Sequence, residues 1–171
     1  MSKIKKPMLK EKDVPRNDEY YTPTNAVRII APYIPKDAVI WECTDYGSSK
    51  ITEHFRELGH KVINTHLKDD KNFLNYEPEE HYDIIITNPP YSIKDDFLKR
   101  AYELGKPFAF LLPLESLGGQ KRVKMYIENS IEILVPHKRV QFVRGGNAWF
   151  PTGWFCWNIL PEKLIFCELE D

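Results

Sequence analysis

Hydrophobic positions along the chain fall into short β-branched runs that alternate with segments of helical spacing. The runs that predict strands in this alternating part are residues 38–43, 61–65, 82–87 and 107–112. The segments that predict helices are residues 24–33, 49–58, 93–104 and 116–129. Further strands, close together near the end of the chain, are predicted at residues 131–135, 140–143, 154–160 and 163–167.

Alternation of apolar strands with helices predicts an α/β fold, in which a mostly parallel sheet carries helices on both faces. The closely spaced late strands predict an antiparallel edge. No Gly/Ser-rich linker or internal repeat interrupts the pattern, so we expect one domain over residues 19–171. Residues 1–18 are predicted to be a flexible basic leader, which is either solvated or an arm that contacts phosphates.

Composition narrows the function classes. The 171 residues include 24 Lys and Arg against 25 Asp and Glu, so the net charge is −1. This balance excludes a surface that is basic all over, and any binding of nucleic acid must depend on local patches. The cysteines are Cys43, Cys156 and Cys167, without the spacing of a disulfide framework or a zinc knuckle, and no metal site is predicted. No apolar run approaches the roughly 18 residues of a membrane span, and we expect a cytoplasmic protein.

Ligands of such sheets bind beyond the carboxyl ends of the strands. There, residues 82–87 are followed by Asn88, Pro89, Pro90 and Tyr91. The prolines make a stiff turn, and the Asn88 side-chain oxygen and Pro89 carbonyl can accept both hydrogens of an amino group. Tyr91 offers a flat face on which a base can stack. The segment therefore predicts a site for an aromatic amine.

This Asn-Pro-Pro-Tyr segment resembles the catalytic motif of N6-adenine methyltransferases that use S-adenosylmethionine, in particular the small phage-type enzymes. The resemblance implies a Rossmann-like class I methyltransferase sheet, S-adenosylmethionine as cofactor, and Asn88, Pro89, Pro90 and Tyr91 as catalytic residues. Adenine N6 in DNA is the implied target. Since little of the chain is left for a recognition region, we expect loose sequence specificity, and location in the host cytoplasm if a phage encodes the protein.

Two further segments extend the resemblance. Residues 19–24 are similar to the family's Y-x-T-P segment, which implies that Tyr21, Thr22 and Pro23 contact the methionine end of the cofactor; simple helix capping is the alternative. Residues 138–146 and the aromatics after them are similar to the late segment of the phage-type enzymes. In those enzymes an aromatic residue flanks the target base, and the resemblance implies that Phe142, Trp149 or Phe150 has this role here. Packing of these aromatics within a hairpin is an equal alternative.

The cofactor half departs from the family pattern. After the first strand the family has an acidic residue or proline and then a tight G-x-G, whereas residues 42–49 contain one glycine and the bulky Tyr46. The second strand should end in an acidic residue that binds the ribose, but Asn64-Thr-His66 stands there. Neutral His66 is expected to accept a hydrogen bond from a ribose hydroxyl. The residues assigned to the cofactor in this half are Glu42, Asp45, Gly47, His66 and Asp70.

Two interpretations follow. The protein is an active methyltransferase with a divergent cofactor loop, which we favour, or a catalytically inactive methyltransferase-like binding protein of a phage or mobile element. A third, methylation of RNA or of a protein amide, shares the same chemistry. The expected partner is nucleic acid, DNA rather than RNA, contacted by basic segments at residues 121–124 and 138–144. No membrane partner is expected, and a homodimer or a separate specificity subunit would supply recognition.

Overall fold

The computed structural model describes residues 20–142 and 150–171, whose strands form one seven-stranded sheet in the order β2-β1-β3-β4-β6-β5-β7. The strands are β1 (Ile40–Glu42), β2 (Val62–Asn64), β3 (Ile84–Thr87), β4 (Phe108–Pro113), β5 (Glu132–Pro136), β6 (Thr152–Trp157) and β7 (Leu164–Cys167). The α-helices are α1 (Thr24–Ile30), α2 (Lys50–Glu57), α3 (Lys94–Leu104) and α4 (Gln120–Asn129).

The sheet is mostly parallel, as the sequence predicts. Strands β1 to β4 run in one direction, and β5 pairs in parallel with β7. Of these strands β6 alone is reversed, and it lies between β4 and β5, antiparallel to both. The carboxyl ends of β1, β2, β3 and β4 consequently meet at one end of the sheet, where such folds bind ligands.

Helices cover both faces of the sheet, which confirms the predicted layers. In β1 Ile40 points into one core and Trp41 into the other, and in β3 Ile84 and Ile85 divide in the same way. The first core is completed from α1 and α2 by Val27, Ile30, Ile51 and Phe55. The second is completed from α3 by Phe97, Leu98 and Ala101. Because both faces of β3 and β4 are buried, these strands are continuously apolar in the sequence.

The predicted strand at residues 140–143 is wrong in its described part. Val140 and Phe142 are buried in the first core, but residues 140–142 belong to no strand, and Val143 lies outside the described residues. Alternating apolar residues report burial on one side of a segment, and here burial occurs without a strand partner. The helix predicted over 116–129 begins only at Gln120, after a 3-10 turn at Leu114–Leu117.

Two other boundaries differ. The helix predicted over 24–33 changes at its end into a 3-10 turn, Ala31–Tyr33. The strand predicted over 154–160 runs from Thr152 to Trp157, since Asn158 has a φ of 56° and turns the chain. The predicted leader at residues 1–18 lies outside the described residues. Over the described ranges no helix is long and apolar enough to span a membrane.

Candidate active site

The Asn-Pro-Pro-Tyr segment lies at the carboxyl end of the buried strand β3, as predicted. It leads into a 3-10 turn, Tyr91–Ile93, and then directly into α3. The Pro90 carbonyl accepts a hydrogen bond from the Ile93 N–H (3.2 Å), and Lys94 Nζ donates to the Tyr91 carbonyl (3.1 Å). These contacts hold the turn and use the carbonyl of Pro90, so the amide of Asn88 and the carbonyl of Pro89 are the groups to consider for a ligand.

The Asn88 amide is oriented by one hydrogen bond. Its Nδ2 donates to the backbone carbonyl of Tyr20 at 2.7 Å. Its Oδ1 is buried and accepts no hydrogen bond within the described residues. A buried oxygen without a donor is costly, by about 1–3 kcal/mol, and marks a place where a ligand hydrogen fits.

Aromatic rings surround Tyr91. The ring of Tyr20 stacks on it, with centroids 5.2 Å apart and an interplanar angle of 19°. Phe142 meets Tyr20 edge-on at 5.3 Å, and Phe150 meets Tyr20 at 6.0 Å and Tyr91 at 5.8 Å. Phe150 thus contacts the Asn-Pro-Pro-Tyr segment directly and Phe142 lies one ring away, on Tyr20, whereas Trp149 lies outside the described residues.

Tyr20 is the site residue that the sequence reasoning missed. The sequence assigned Tyr21, Thr22 and Pro23, but the Tyr21 side chain is 48% exposed while Tyr20 stacks on Tyr91. Thr22 is buried, and Pro23 is the N-cap residue just before α1, its carbonyl accepting from the Ala26 N–H at 3.1 Å. The signal was present, because the spacing Y-x-T-P starts at the first of the two tyrosines.

Glu42 ends β1 with a buried carboxyl group. Its Oε1 accepts from the Thr44 N–H and hydroxyl, each at 3.0 Å, and from the Thr87 hydroxyl at 2.5 Å. Burial raises the pKa of Glu42 to about 7, although the hydrogen bonds from Thr87 and Thr44 act to lower it. The group is therefore close to half-ionised at neutral pH and is tied to the residue before Asn88.

Asp45 fastens the loop after β1 to the start of α2. Its carboxylate accepts from the Ser49 N–H (2.9 Å), the Thr52 hydroxyl (2.8 Å) and the Ser48 N–H (3.3 Å). Burial acts to raise the pKa of Asp45, but these hydrogen bonds outweigh it and hold the pKa below its usual value. Ser49 caps the helix by accepting from the Thr52 N–H at 3.1 Å. Because loop and helix engage this carboxylate, the geometry gives Asp45 the role of holding the loop.

Packing accounts for the neutral residue at the end of β2. Asn64 Oδ1 accepts from Arg56 Nη2 at 2.7 Å, and its Nδ2 donates to the Thr52 hydroxyl at 2.7 Å. Arg56 Nη1 also donates to the Gly47 carbonyl at 3.3 Å, where Gly47 has a φ of 108°. An amide supplies both the acceptor and the donor that these contacts need, so Asn64 serves the loop and α2.

Tyr46 and His66 stack on each other across the loops that follow β1 and β2, with centroids 4.0 Å apart. His66 Nδ1 accepts from the Lys68 N–H at 3.1 Å, so in the neutral ring Nε2 carries the proton. The contact of His66 with a ribose hydroxyl stays a prediction. Asp70 is exposed, with a φ of 57°.

A cavity of about 510 Å³ opens beside this stack, along the outer side of β2. Its walls include Tyr46, Asn64, Thr65, Lys71 and Tyr76. That volume is within the range of small-molecule sites. It adjoins the end of β2, where the resemblance places the nucleoside part of the cofactor.

Comparison with known proteins gives a fold. No protein-family model and no curated protein matches the chain. Among solved structures, a protein from Listeria monocytogenes named as a class I S-adenosylmethionine-dependent methyltransferase matches with a TM-score of 0.52 and 13% identity, over 92% of this chain and 68% of that one. This chain has the class I methyltransferase fold.

Two more solved structures show weaker likeness. A modification subunit of a type I restriction enzyme from Vibrio vulnificus matches at 13% identity and a TM-score of 0.48, over 91% of this chain and 48% of that one. This chain thus spans about half the length of the Vibrio protein. A TehB-like S-adenosylmethionine-dependent methyltransferase from Corynebacterium glutamicum matches at 14% identity and a TM-score of 0.46, over 77% of this chain and 86% of that one. At such identities the likeness concerns the fold alone.

Proposed function

We propose that the protein is an S-adenosylmethionine-dependent methyltransferase that acts on an exocyclic amino group, namely N6 of adenine in DNA. One observation carries the proposal: the buried Asn88 Oδ1 has no donor within the described residues and lies just after the carboxyl end of β3, three residues before Tyr91. In a class I methyltransferase fold this is the ligand-binding end of the sheet.

The chemistry follows from the acceptors. Adenine N6 is a weak nucleophile because its lone pair is delocalised into the ring. Hydrogen bonds from its two hydrogens to Asn88 Oδ1 and the Pro89 carbonyl localise that lone pair and aim it. When bound, S-adenosylmethionine supplies an electrophilic methyl group. The amino nitrogen would gain the methyl group as its bond to sulfur breaks and S-adenosylhomocysteine leaves. The nitrogen would then lose one proton to solvent, so no strongly basic side chain is required.

The chain offers a site for the cofactor in two parts. Glu42, Asp45 and Gly47, at the end of β1 and in the loop that follows it, would lie at the methionine end. Tyr21, Thr22 and Pro23 keep the role that the resemblance assigns them at the same end. His66 and Asp70, with the cavity of about 510 Å³ along β2, would hold the nucleoside end. The residues present fit the group, provided that the Tyr46 ring leaves His66.

The substrate is a base presented outside a stack. In a duplex the adenine would have to be flipped out, which an unpaired strand avoids. Of the predicted basic segment at 121–124, Arg122 is used internally, since its Nη1 pairs with Asp95 Oδ1 at 2.5 Å and its Nε donates to the Gly118 carbonyl at 2.8 Å. Lys124 approaches Glu128 at 3.9 Å. Lys121 and Lys124 are exposed and would contact phosphates, which carry no sequence information, so we expect sequence recognition from a second copy or from a separate subunit.

Transfer of a radiolabelled methyl group tests the proposal. The acceptors are DNA, tRNA and a protein extract, each incubated with the protein and labelled S-adenosylmethionine. We expect label in the adenine of DNA, and none with the variant Asn88→Ala. Label in tRNA or protein alone would show that DNA is not the substrate, although the protein transfers methyl groups. Equal labelling by wild type and Asn88→Ala would overturn the site.

A second candidate function rests on the Tyr46–His66 stack. Its 4.0 Å separation leaves no room for a ligand ring between the two side chains. A catalytically inactive binding protein would keep this stack closed. Such a protein would bind neither S-adenosylmethionine nor S-adenosylhomocysteine, which separates it from the enzyme.

A further inference from the structure

We propose that Tyr20 is a further specificity residue of the target-base site: it competes with the incoming adenine for the face of Tyr91 and for the amide of Asn88. The inference rests on the proposed function, because it concerns the same pocket. Two contacts of different kinds carry it, one through the ring of Tyr20 and one through its backbone.

The ring contact covers the stacking face. Tyr20 and Tyr91 are nearly parallel, at 19°, with centroids 5.2 Å apart. A base that stacks on this face of Tyr91 needs a plane about 3.5 Å away, where the Tyr20 ring already lies. The base and the Tyr20 ring therefore exclude each other, and binding requires Tyr20 to move by at least the thickness of a ring.

The backbone contact holds the donor of the amide. Asn88 Nδ2 donates to the Tyr20 carbonyl at 2.7 Å, while Oδ1 keeps no partner within the described residues. When Tyr20 leaves, the amide presents a donor beside an acceptor. The Watson–Crick edge of adenine presents the complement, an amino hydrogen beside the acceptor N1. The Tyr20 carbonyl thus stands in for adenine N1.

This exchange favours some bases over others. Adenine replaces both contacts of Tyr20, because it offers a flat ring and an acceptor next to its amino group. Thymine has a flat ring and can pair its N3–H and one carbonyl with the same amide, but it has no amino group. It therefore sets a carbonyl oxygen towards the Pro89 carbonyl, where adenine offers its second amino hydrogen. Phe142 and Phe150 contact Tyr20 edge-on and would face the incoming base in the same way. The Tyr20 ring therefore lowers the affinity for adenine by the value of its stack on Tyr91, whereas thymine, opposed by the Pro89 carbonyl, stays outside the pocket with or without that ring.

The test measures binding of fluorescein-labelled single-stranded oligo(dA) and oligo(dT) by anisotropy, which avoids base flipping and cancels phosphate contacts in the ratio of the two affinities. Tyr20→Ala should raise the preference for oligo(dA) about three- to ten-fold, the value of one aromatic stack. Tyr20→Phe keeps the stack and should stay within about two-fold of wild type. The matched control is Tyr33→Ala, which deletes a tyrosine side chain in the 3-10 turn after α1.

Tyr20→Leu repeats the test with apolar bulk in place of the ring, should Tyr20→Ala fail to fold. An unchanged or lower preference for oligo(dA) in the variant that folds overturns the role of Tyr20. The variant Asn88→Ala separates this failure from failure of the proposed function. Loss of the preference in Asn88→Ala upholds the base site whatever Tyr20 does, whereas an unchanged preference overturns the base site itself.

Discussion

The hydroxyl of Thr87 lies 2.5 Å from Oε1 of Glu42 and joins the end of β3 to the end of β1. The Thr44 hydroxyl completes the contact, 2.7 Å from that of Thr87 and 3.0 Å from Glu42. Thr87 immediately precedes Asn88, so one small network connects the loop after β1 to the segment that would hold the base. Protonation of Glu42 is therefore expected to affect both the fold and the site.

Glu42 should make stability depend on pH. Its pKa is raised from 4.5 to about 7, so the folded protein holds this proton more tightly than the unfolded chain. The resulting stability is fully present below pH 4.5 and is lost as the pH rises through about 7. A shift of this size corresponds to about 3 kcal/mol.

Urea unfolding at pH 5 and pH 8 measures this effect in wild type and in Glu42→Gln. The variant cannot ionise at this position, so its free energy of unfolding should change less between the two pH values than that of wild type. Glu115→Gln alters an exposed carboxyl group and should behave like wild type. Identical pH dependence in wild type and Glu42→Gln would show that the carboxyl group is not held as described.

Replacing Asn88 should separate stability from catalysis. The amide makes one hydrogen bond, to Tyr20, so Asn88→Ala should lower the free energy of unfolding by only about 1 kcal/mol. Loss of the oriented acceptor should lower kcat by about 100-fold or more, with KM for the cofactor nearly unchanged. Steady-state kinetics measures kcat and KM, and urea unfolding measures the free energy of unfolding. A near-normal kcat would contradict the role of Asn88.

Gly47 and Gly59 form a matched pair of glycines. Both have positive φ, 108° and 92°, so alanine at either position costs about 1–2 kcal/mol of backbone strain. Gly47 lies in the cofactor loop, where an added Cβ would face Asn64 Oδ1 at 3.5 Å; Gly59 follows α2, with nothing within 4 Å. Both variants should lose similar stability, but Gly47→Ala alone should weaken binding of S-adenosylhomocysteine, by about ten-fold. Equal affinities in the two variants would remove Gly47 from the cofactor site.

The sequence predicts most of the architecture because burial leaves a readable pattern. Strands β3 and β4 are covered on both faces, so each is a continuous apolar run that is recognisable without the structure. The Asn-Pro-Pro-Tyr segment is readable for the same reason, since its place at the end of β3 follows from the strand before it. Residues 140–142 show the limit, because an alternating pattern records burial but not the presence of a strand partner.

Contacts between distant segments were not readable. The Y-x-T-P spacing singles out Tyr20 rather than Tyr21, but only packing shows that the ring of Tyr20 stacks on Tyr91. The expected acidic residue at the end of β2 is Asn64, and the reason is visible only in the structure, where Arg56 of α2 donates to Asn64 Oδ1. Both depend on residues that the chain brings together only on folding.

Calorimetric titration of the wild-type protein with S-adenosylhomocysteine tests the central claim most directly, because an enzyme of this kind must bind the product of its cofactor. We predict binding to one site with a Kd of about 1–100 µM. Absence of binding at about 1 mM ligand would contradict the assignment and would favour a methyltransferase fold kept for binding another partner.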